Sequence, residues 1–421
     1  MPLNQIIKNS SFLFASDIVS KVVNVVFLAF LSRYLTPEET GIYITVITFF
    51  SIGIALSDPG ISQVIIRDIS RNPEENLQRY NQSIILCTIL WVSLWGFITA
   101  SGYFMGYSSQ VVWLLAMGGL YIGVQSWGQM TSGYIQAKQE MKIVAIGNAQ
   151  VTIMFGLLGI WGLYLGIGLN VLIILLVIQG TAYWIYFMKK AMPLGLPLDK
   201  RNWNLYGIRG LIREVLPIAA LATSGILLNR LDVIMLSKIK GMEDTAAYGL
   251  AVRFIDNLAM ISNSVGMALF PYLSSQWEKS REEIGTTLRK SFQFYIIMGL
   301  GAALIVNLFA SEIITIFYGY NFVGSSYVLN ILIWSFLFSM MGAPYTLLIL
   351  MERDKVTGFI GRAVFVVCMN IGLNLLLIPH FGMIGAGVST LICSVVLFYF
   401  KLDYVRGYFP VKIKLLGSYT R

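Results

Sequence analysis

Twelve apolar runs, each long enough to cross a bilayer, fill this sequence almost end to end, and a soluble fold has no place for them. A hydrocarbon core of roughly 30 Å takes about 20 helical residues. Runs near that length fall at approximately 11–34, 41–66, 82–103, 111–136, 143–166, 168–188, 211–237, 246–272, 291–317, 326–351, 357–378 and 383–402. Segments five and six are almost fused around Gly166 and Gly168, so a reading with eleven spans stands beside the one with twelve. The 421 residues are 57% hydrophobic and 12% charged, whereas soluble domains carry about 25% charged residues. The runs are too long for a β-barrel and lack its period-two alternation. Asp17 and Lys21 interrupt the first run and no small-x-small site follows it, so it is expected to stay attached rather than be cleaved as a signal.

Positive charge orients the spans, because cytoplasmic loops hold the Lys and Arg excess. With the N-terminus inside, the inner segments collect Lys8, Arg67, Arg71, Arg79, Lys138, Lys142, the basic residues of 189–213, those of 279–290, Arg353, Lys355 and the basic C-terminal tail. The outer loops hold only Lys238 and Lys240. An even number of spans with both termini cytoplasmic fits this bias. The net charge of +9 is therefore mainly a topology signal, with anionic lipid headgroups as its natural partner. Nucleic acid is a poor one, since the basic residues are scattered over short loops. Cys87, Cys368 and Cys393 lie in apolar runs without CxxC spacing and read as packing residues. A single histidine, His380, cannot build a multi-histidine metal site, and no cofactor is expected.

An internal repeat orders the spans. SRYLTPEETGIY (Ser32–Tyr43) lies over SKIKGMEDTAAY (Ser237–Tyr248) without a gap, matching Ser32 with Ser237, Glu38 with Glu243, Thr40 with Thr245 and Tyr43 with Tyr248. The same offset places Asn24 over Asn229. The matched loops join spans one to two and seven to eight, as a six-plus-six duplication requires. Even-numbered repeats share one orientation, which puts a pseudo-twofold axis along the membrane normal. The segment Met188–Pro217, with three prolines and six basic residues, reads as the connection. The expected domains are an N-terminal lobe over 1–190, a cytoplasmic linker over 191–213 and a C-terminal lobe over 214–421.

Two segments carry a family resemblance. GIYITVITFFSIGIALSDPGISQVIIRDIS (Gly41–Ser70) resembles the second-helix region of polysaccharide flippases, and NIGLNLLLIPHFGMIGA (Asn370–Ala386) resembles the most recognisable C-terminal segment of that group. The superfamily also contains multidrug and toxin extruders and lipid II flippases. The resemblance implies two six-helix lobes enclosing a central cavity that opens alternately to each side. It implies transport of undecaprenyl-pyrophosphate-linked oligosaccharide from the inner to the outer leaflet of the cytoplasmic membrane. The chain ends soon after span twelve, whereas lipid II flippases usually have two further helices, which points to the O-antigen or capsule (Wzx) type.

Intramembrane charges supply the candidate site. A charge at the centre of a membrane helix costs about 2.5–3.5 kcal/mol on insertion scales, so such residues normally face a polar interior. Asp17, Lys21 and Asn24 share one face of span one, and Asn229 and Asp232 share a face of span seven. Arg230 is roughly 100–160° away from both. Arg253 and Asp256 follow in span eight, and Arg362 in span eleven. Asp17–Lys21 and Arg253–Asp256 have the spacing of self-satisfying ion pairs; Arg230 and Asp232 need partners on other helices, or water. Lys21, Arg230, Arg253 and Arg362 are the candidates for the diphosphate, because cationic donors replace its lost hydration. Asn24 and Asn229 are candidates for sugar contacts; for Tyr43 and Tyr248 packing is the first reading.

Asp58, in SDPG, sits at an expected helix break, either as a cap or as a hinge. Asp17, Asp58, Asp232 and Asp256 are the carboxylates available for H⁺ or Na⁺ coupling. Asn370 and Asn374, one turn apart, are expected to bond between helices. No GxxxxGK[ST] loop for ATP is present. A membrane enzyme of polysaccharide assembly would be expected to show a long outer loop or a DxD motif, and neither occurs, so no catalytic residues are assigned. A cation-coupled multidrug exporter remains the main alternative. Polysaccharide polymerase and glycosyltransferases are the expected protein partners of a flippase.

Overall fold

The computed structural model describes residues 3–71, 76–196, 208–276, 281–351 and 353–408. They are almost wholly helical: α1 (Leu3–Tyr34), α2 (Pro37–Ser57), α3 (Ile61–Arg71), α4 (Asn76–Phe104), α5 (Ser109–Ala137), α6 (Met141–Tyr164), α7 (Leu169–Ala191), α8 (Ile208–Ile239), α9 (Met242–Gln276), α10 (Arg281–Tyr318), α11 (Ser325–Met351) and α12 (Arg353–Tyr408). Helices satisfy every backbone group internally, as hydrocarbon demands. Apolar side chains such as Leu308, 73% exposed, are left on the outside where lipid takes the place of a protein core.

Among the described residues, ten helical stretches are long and apolar enough to cross a membrane. Two differences from the twelve expected runs have physical causes. Val356–Arg406 is one helical stretch of 51 residues, but at a rise of about 1.5 Å per residue it would be more than twice as long as a bilayer core. Gly382, at φ 56°, folds it back on itself and makes two antiparallel arms. Helix α9 is long enough to span, yet it is not among the ten; it carries Arg253 and Asp256 within its apolar sequence. Segments five and six are separate helices, because Gly166 turns the chain at φ 73° between α6 and α7.

By its internal contacts the chain divides into Met1–Ile226 and Leu227–Arg421. The division falls inside α8. Leu211 and Val215 are buried with Ile61, Ile65, Tyr80 and Tyr134 in the first unit. Leu228 packs with Val366, Val367 and Cys393 in the second. Of the linker expected over 191–213, residues 197–207 lie outside the described residues.

The repeat is written into the backbone at a constant offset of 205 residues. Helices α1 and α8 end at the matched positions Tyr34 and Ile239, and α2 and α9 begin at Pro37 and Met242. The Leu35 amide donates to the Leu31 carbonyl at 3.0 Å, and the matched Lys240 amide donates to Leu236 at 2.9 Å. Ser32 and Ser237 are both buried, and each returns its hydroxyl to the carbonyl three residues earlier. Thr36 caps α2 and completes a capping box with Glu39. Glycine sets the spacing within the first unit. Gly118, Gly119 and Gly123 on α5 lie against Phe50, Trp95 and Trp91, and Trp91 donates its indole N–H to the Gly119 carbonyl at 2.7 Å.

Candidate functional site

The densest set of intramembrane charges lies in the second unit. The Arg230 guanidinium on α8 donates to the Asp256 carboxylate on α9 at 2.9 Å, and Arg253, one turn before Asp256, approaches the same oxygen at 3.9 Å. Arg230 is nine residues before the end of α8 and Asp256 fourteen after the start of α9. At ~1.5 Å per residue these positions are ~14 and ~21 Å along their helices from the turn that joins them, within the length of a bilayer core. Two cations share the Asp256 carboxylate, and the Asp232 carboxylate lies close enough to Arg230 to act on it electrostatically.

Asp232 has a different environment. It is 1% exposed, and its carboxylate accepts from the Tyr248 hydroxyl on α9, from the Val233 amide at 2.8 Å and from Thr390 on α12 at 3.2 Å. Asn229 is exposed. The shared face expected for Asn229 and Asp232 is thus split: a 60° step around the helix crosses from its outer surface to its packed side. Tyr248 is a buried bonding partner, not a surface for sugars. In the first unit the same offset replaces Asp232 with Phe27, whose ring lies 6.1 Å from that of Tyr43. One copy of the repeat fills this position with an aromatic contact, the other with a carboxylate and its donors.

Asn370 and Asn374 are buried between the arms of α12. The Asn374 amide donates to Asn370 at 3.0 Å, and Asn370 donates to Ser389 on the opposite arm at 3.3 Å. Arg362 does not join the Arg230 group. Its guanidinium bonds the Asp403 carboxylate at 2.9 Å and lies over the Tyr404 ring at 5.0 Å.

On α1, Asp17 and Asn24 are exposed and Lys21 is partly so. Asp17 and Lys21 interact electrostatically without closing a salt bridge. Asp58 ends α2, and its carboxylate accepts the Ser62 amide at 2.8 Å and the Ser62 hydroxyl, capping α3. Gly60 makes the turn at φ 101°. The cap expected at SDPG is present, and the chain breaks there between α2 and α3. Among the described residues no three His, Cys, Asp or Glu side chains come together as metal ligands.

Sequence reasoning missed one network. Arg67 on α3 bridges Asp68 and Glu214, both at 2.8 Å, and Arg79 on α4 reaches Glu214 at 3.3 Å. These arginines had a topological reading only; the sequence clue was a carboxylate adjacent to one of them. The Arg67 guanidinium holds the Glu214 carboxyl below the usual carboxylate range. Its stabilisation is therefore present above the unfolded value of about 4.3 and is lost as pH falls through the lower folded value. Partly exposed pairs contribute about 1 kcal/mol or less. Glu214→Gln is expected to lower thermal stability slightly at neutral pH, with the gap to the parent closing below about pH 4. A gap that stays constant in thermal unfolding over that range would contradict the assignment.

With ten described stretches long and apolar enough to cross a membrane and a repeat marked by its helix ends, the chain is a multi-pass helical membrane protein. A family model described as "Polysaccharide biosynthesis protein" matches residues 6–277, and a second, MatE, matches 217–376. The chain belongs to the polysaccharide biosynthesis protein family. It is 23% identical to an uncharacterised membrane protein of Methanocaldococcus jannaschii, over 90% of this chain and 80% of that one. It is 20% identical to the capsular polysaccharide biosynthesis protein CapF of Staphylococcus aureus, over 93% and 96%. Its fold is that of the lipid II flippase MurJ in an inward closed conformation, with a TM-score of 0.77 at 12% identity, covering 94% of this chain and 87% of that one.

Proposed function

We propose that this protein is a flippase that moves an undecaprenyl-pyrophosphate-linked oligosaccharide, an O-antigen, capsular or related repeat unit, from the inner to the outer leaflet of the cytoplasmic membrane by alternating access. Both termini are cytoplasmic in this reading. The observation that carries it is the pair Arg230 and Arg253 around the Asp256 carboxylate, within the apolar lengths of α8 and α9. The diphosphate is the part of such a substrate least able to cross hydrocarbon, and guanidinium groups replace its hydration with charge-assisted hydrogen bonds. Lys21 and Arg362 are further candidate headgroup contacts, and Asn24 and Asn229 candidate sugar contacts. Family membership and the capsular relative support the substrate class.

Of the carboxylates, Asp232 is the best placed for coupling to H⁺ or Na⁺. It is enclosed by oxygen-bearing side chains and is fixed to three helices of the second unit. Asp17 is exposed, Asp58 is committed to capping α3, and Asp256 is committed to arginine.

The MatE match over 217–376 favours a second reading, a cation-coupled multidrug exporter. Purified protein in lipid vesicles separates the two. A nitrobenzoxadiazole-labelled short-chain polyprenyl-diphosphate oligosaccharide is expected to cross to the leaflet accessible to an impermeant dithionite quench faster than in protein-free vesicles. Gradient-driven ethidium uptake without saccharide movement would replace the flippase reading with the exporter.

A further inference from the structure

We propose that Asp256 is a built-in stand-in for the substrate's phosphate: it holds Arg230 and Arg253 while the site is empty and yields them when an anionic headgroup arrives. This rests on the reading that the headgroup binds at these arginines. Guanidinium groups within an apolar helix are costly, and an internal carboxylate in contact with them lowers that cost. Asp256 makes with Arg230 the contact a phosphate oxygen would make, a charge-assisted bond at 2.9 Å.

Three observations separate Asp256 from a permanent strut. Its side chain is more exposed than those it holds, at 30% against 17% for Arg230 and 22% for Arg253. Its contact with Arg253 is loose at 3.9 Å, against 2.9 Å for Arg230. Asp232, by contrast, is enclosed and accepts from an amide and two hydroxyls, which leaves it no freedom to swing away. The repeat adds a fourth. The positions matched to Arg230, Arg253 and Asp256 in the first unit are Val25, Thr48 and Ser51, so two cations and their anion stand together where the other copy is uncharged.

The physical consequence is a tuned affinity. Displacing Asp256 charges each binding event with the cost of opening an ion pair, which weakens the apparent affinity by the fraction of time the pair is open. While the headgroup is bound Asp256 competes for the same guanidinium, which accelerates release, and it closes again when the headgroup has left. A transporter needs this, since a headgroup held too tightly would not leave on the far side.

The test uses full-length purified protein in detergent, with inorganic diphosphate as the probe and calorimetric titration as the readout. Asp256→Asn is expected to bind diphosphate about tenfold more tightly, the gain for a pair closed about 90% of the time. Arg230→Gln is expected to bind about tenfold more weakly. In vesicles, Asp256→Asn should move the diphosphate-linked probe more slowly despite its tighter binding. If Arg230→Gln weakens binding while Asp256→Asn leaves it unchanged or weakens it, the stand-in is overturned and the headgroup site survives. If neither Arg230→Gln nor Arg253→Gln alters diphosphate binding, the headgroup reading itself fails, and the stand-in with it. Should Asp256→Asn and Asp256→Ser both fail to fold even when purified with diphosphate present, Asp256 is a strut and the proposal falls.

Discussion

Replacing Arg230 with alanine is expected to abolish surface polysaccharide export in cells that lack the chromosomal copy, while Arg230→Lys retains part of it. The guanidinium is the closer of the two donors to Asp256, at 2.9 Å against 3.9 Å for Arg253. A hydrogen bond to a charged partner contributes about 1.5–3 kcal/mol, which corresponds to a roughly 10–100-fold loss of transport rate when it is removed. Lysine keeps the charge but loses the planar fork that grips two phosphate oxygens, hence the partial activity. Expression level must be measured alongside, because alanine also leaves Asp256 with only the looser Arg253 contact. Full export by an Arg230→Ala protein present at the parental level would remove Arg230 from the substrate path.

The largest effect on stability is expected at Gly118. A Cβ built there lies 1.6 Å from the tip of the Phe50 ring, and Phe50 is itself 1% exposed with little room to retreat. Alanine is the better helix former by about 1 kcal/mol, but overpacking a tight interface costs about 1–3 kcal/mol and sometimes more. Sterics therefore win, and Gly118→Ala should lose most of its monodisperse fraction in detergent. Phe50→Leu in the same chain should restore part of it by withdrawing the ring. Gly96, with nothing within 4 Å of its Cβ, is the control, and Gly96→Ala should be neutral or slightly stabilising. Equal size-exclusion profiles for Gly118→Ala and Gly96→Ala would show that the α2–α5 contact adapts freely.

Much of this protein is legible in its sequence because lipid imposes simple rules. Runs of about 20 apolar residues have to be helices when no water is available to the backbone. The break at SDPG was readable, since proline fixes and glycine frees the backbone dihedrals locally, whereas Gly166 left eleven and twelve spans both open. The 205-residue repeat was equally visible, and its helix ends match at the residue level. A family resemblance read from Gly41–Ser70 falls within the family match over 6–277.

Pairing was not legible. Helical geometry established that Arg230 and Asp232 point to different sides and need partners elsewhere, but it did not supply Asp256 for one or Tyr248 and Thr390 for the other. Those partners are 26, 16 and 158 residues away. The same limit hid Glu214, which Arg67 and Arg79 reach across 147 and 135 residues. It also hid the difference between Asn229 and Asp232, neighbours on one helix face that the packing of α9 and α12 divides into outside and inside. Periodicity along one helix is a local property fixed by backbone geometry, so the chain by itself determined the spans, their breaks and their duplication. Which charge meets which depends on helices brought together from distant parts of the chain, and only the tertiary structure decided that.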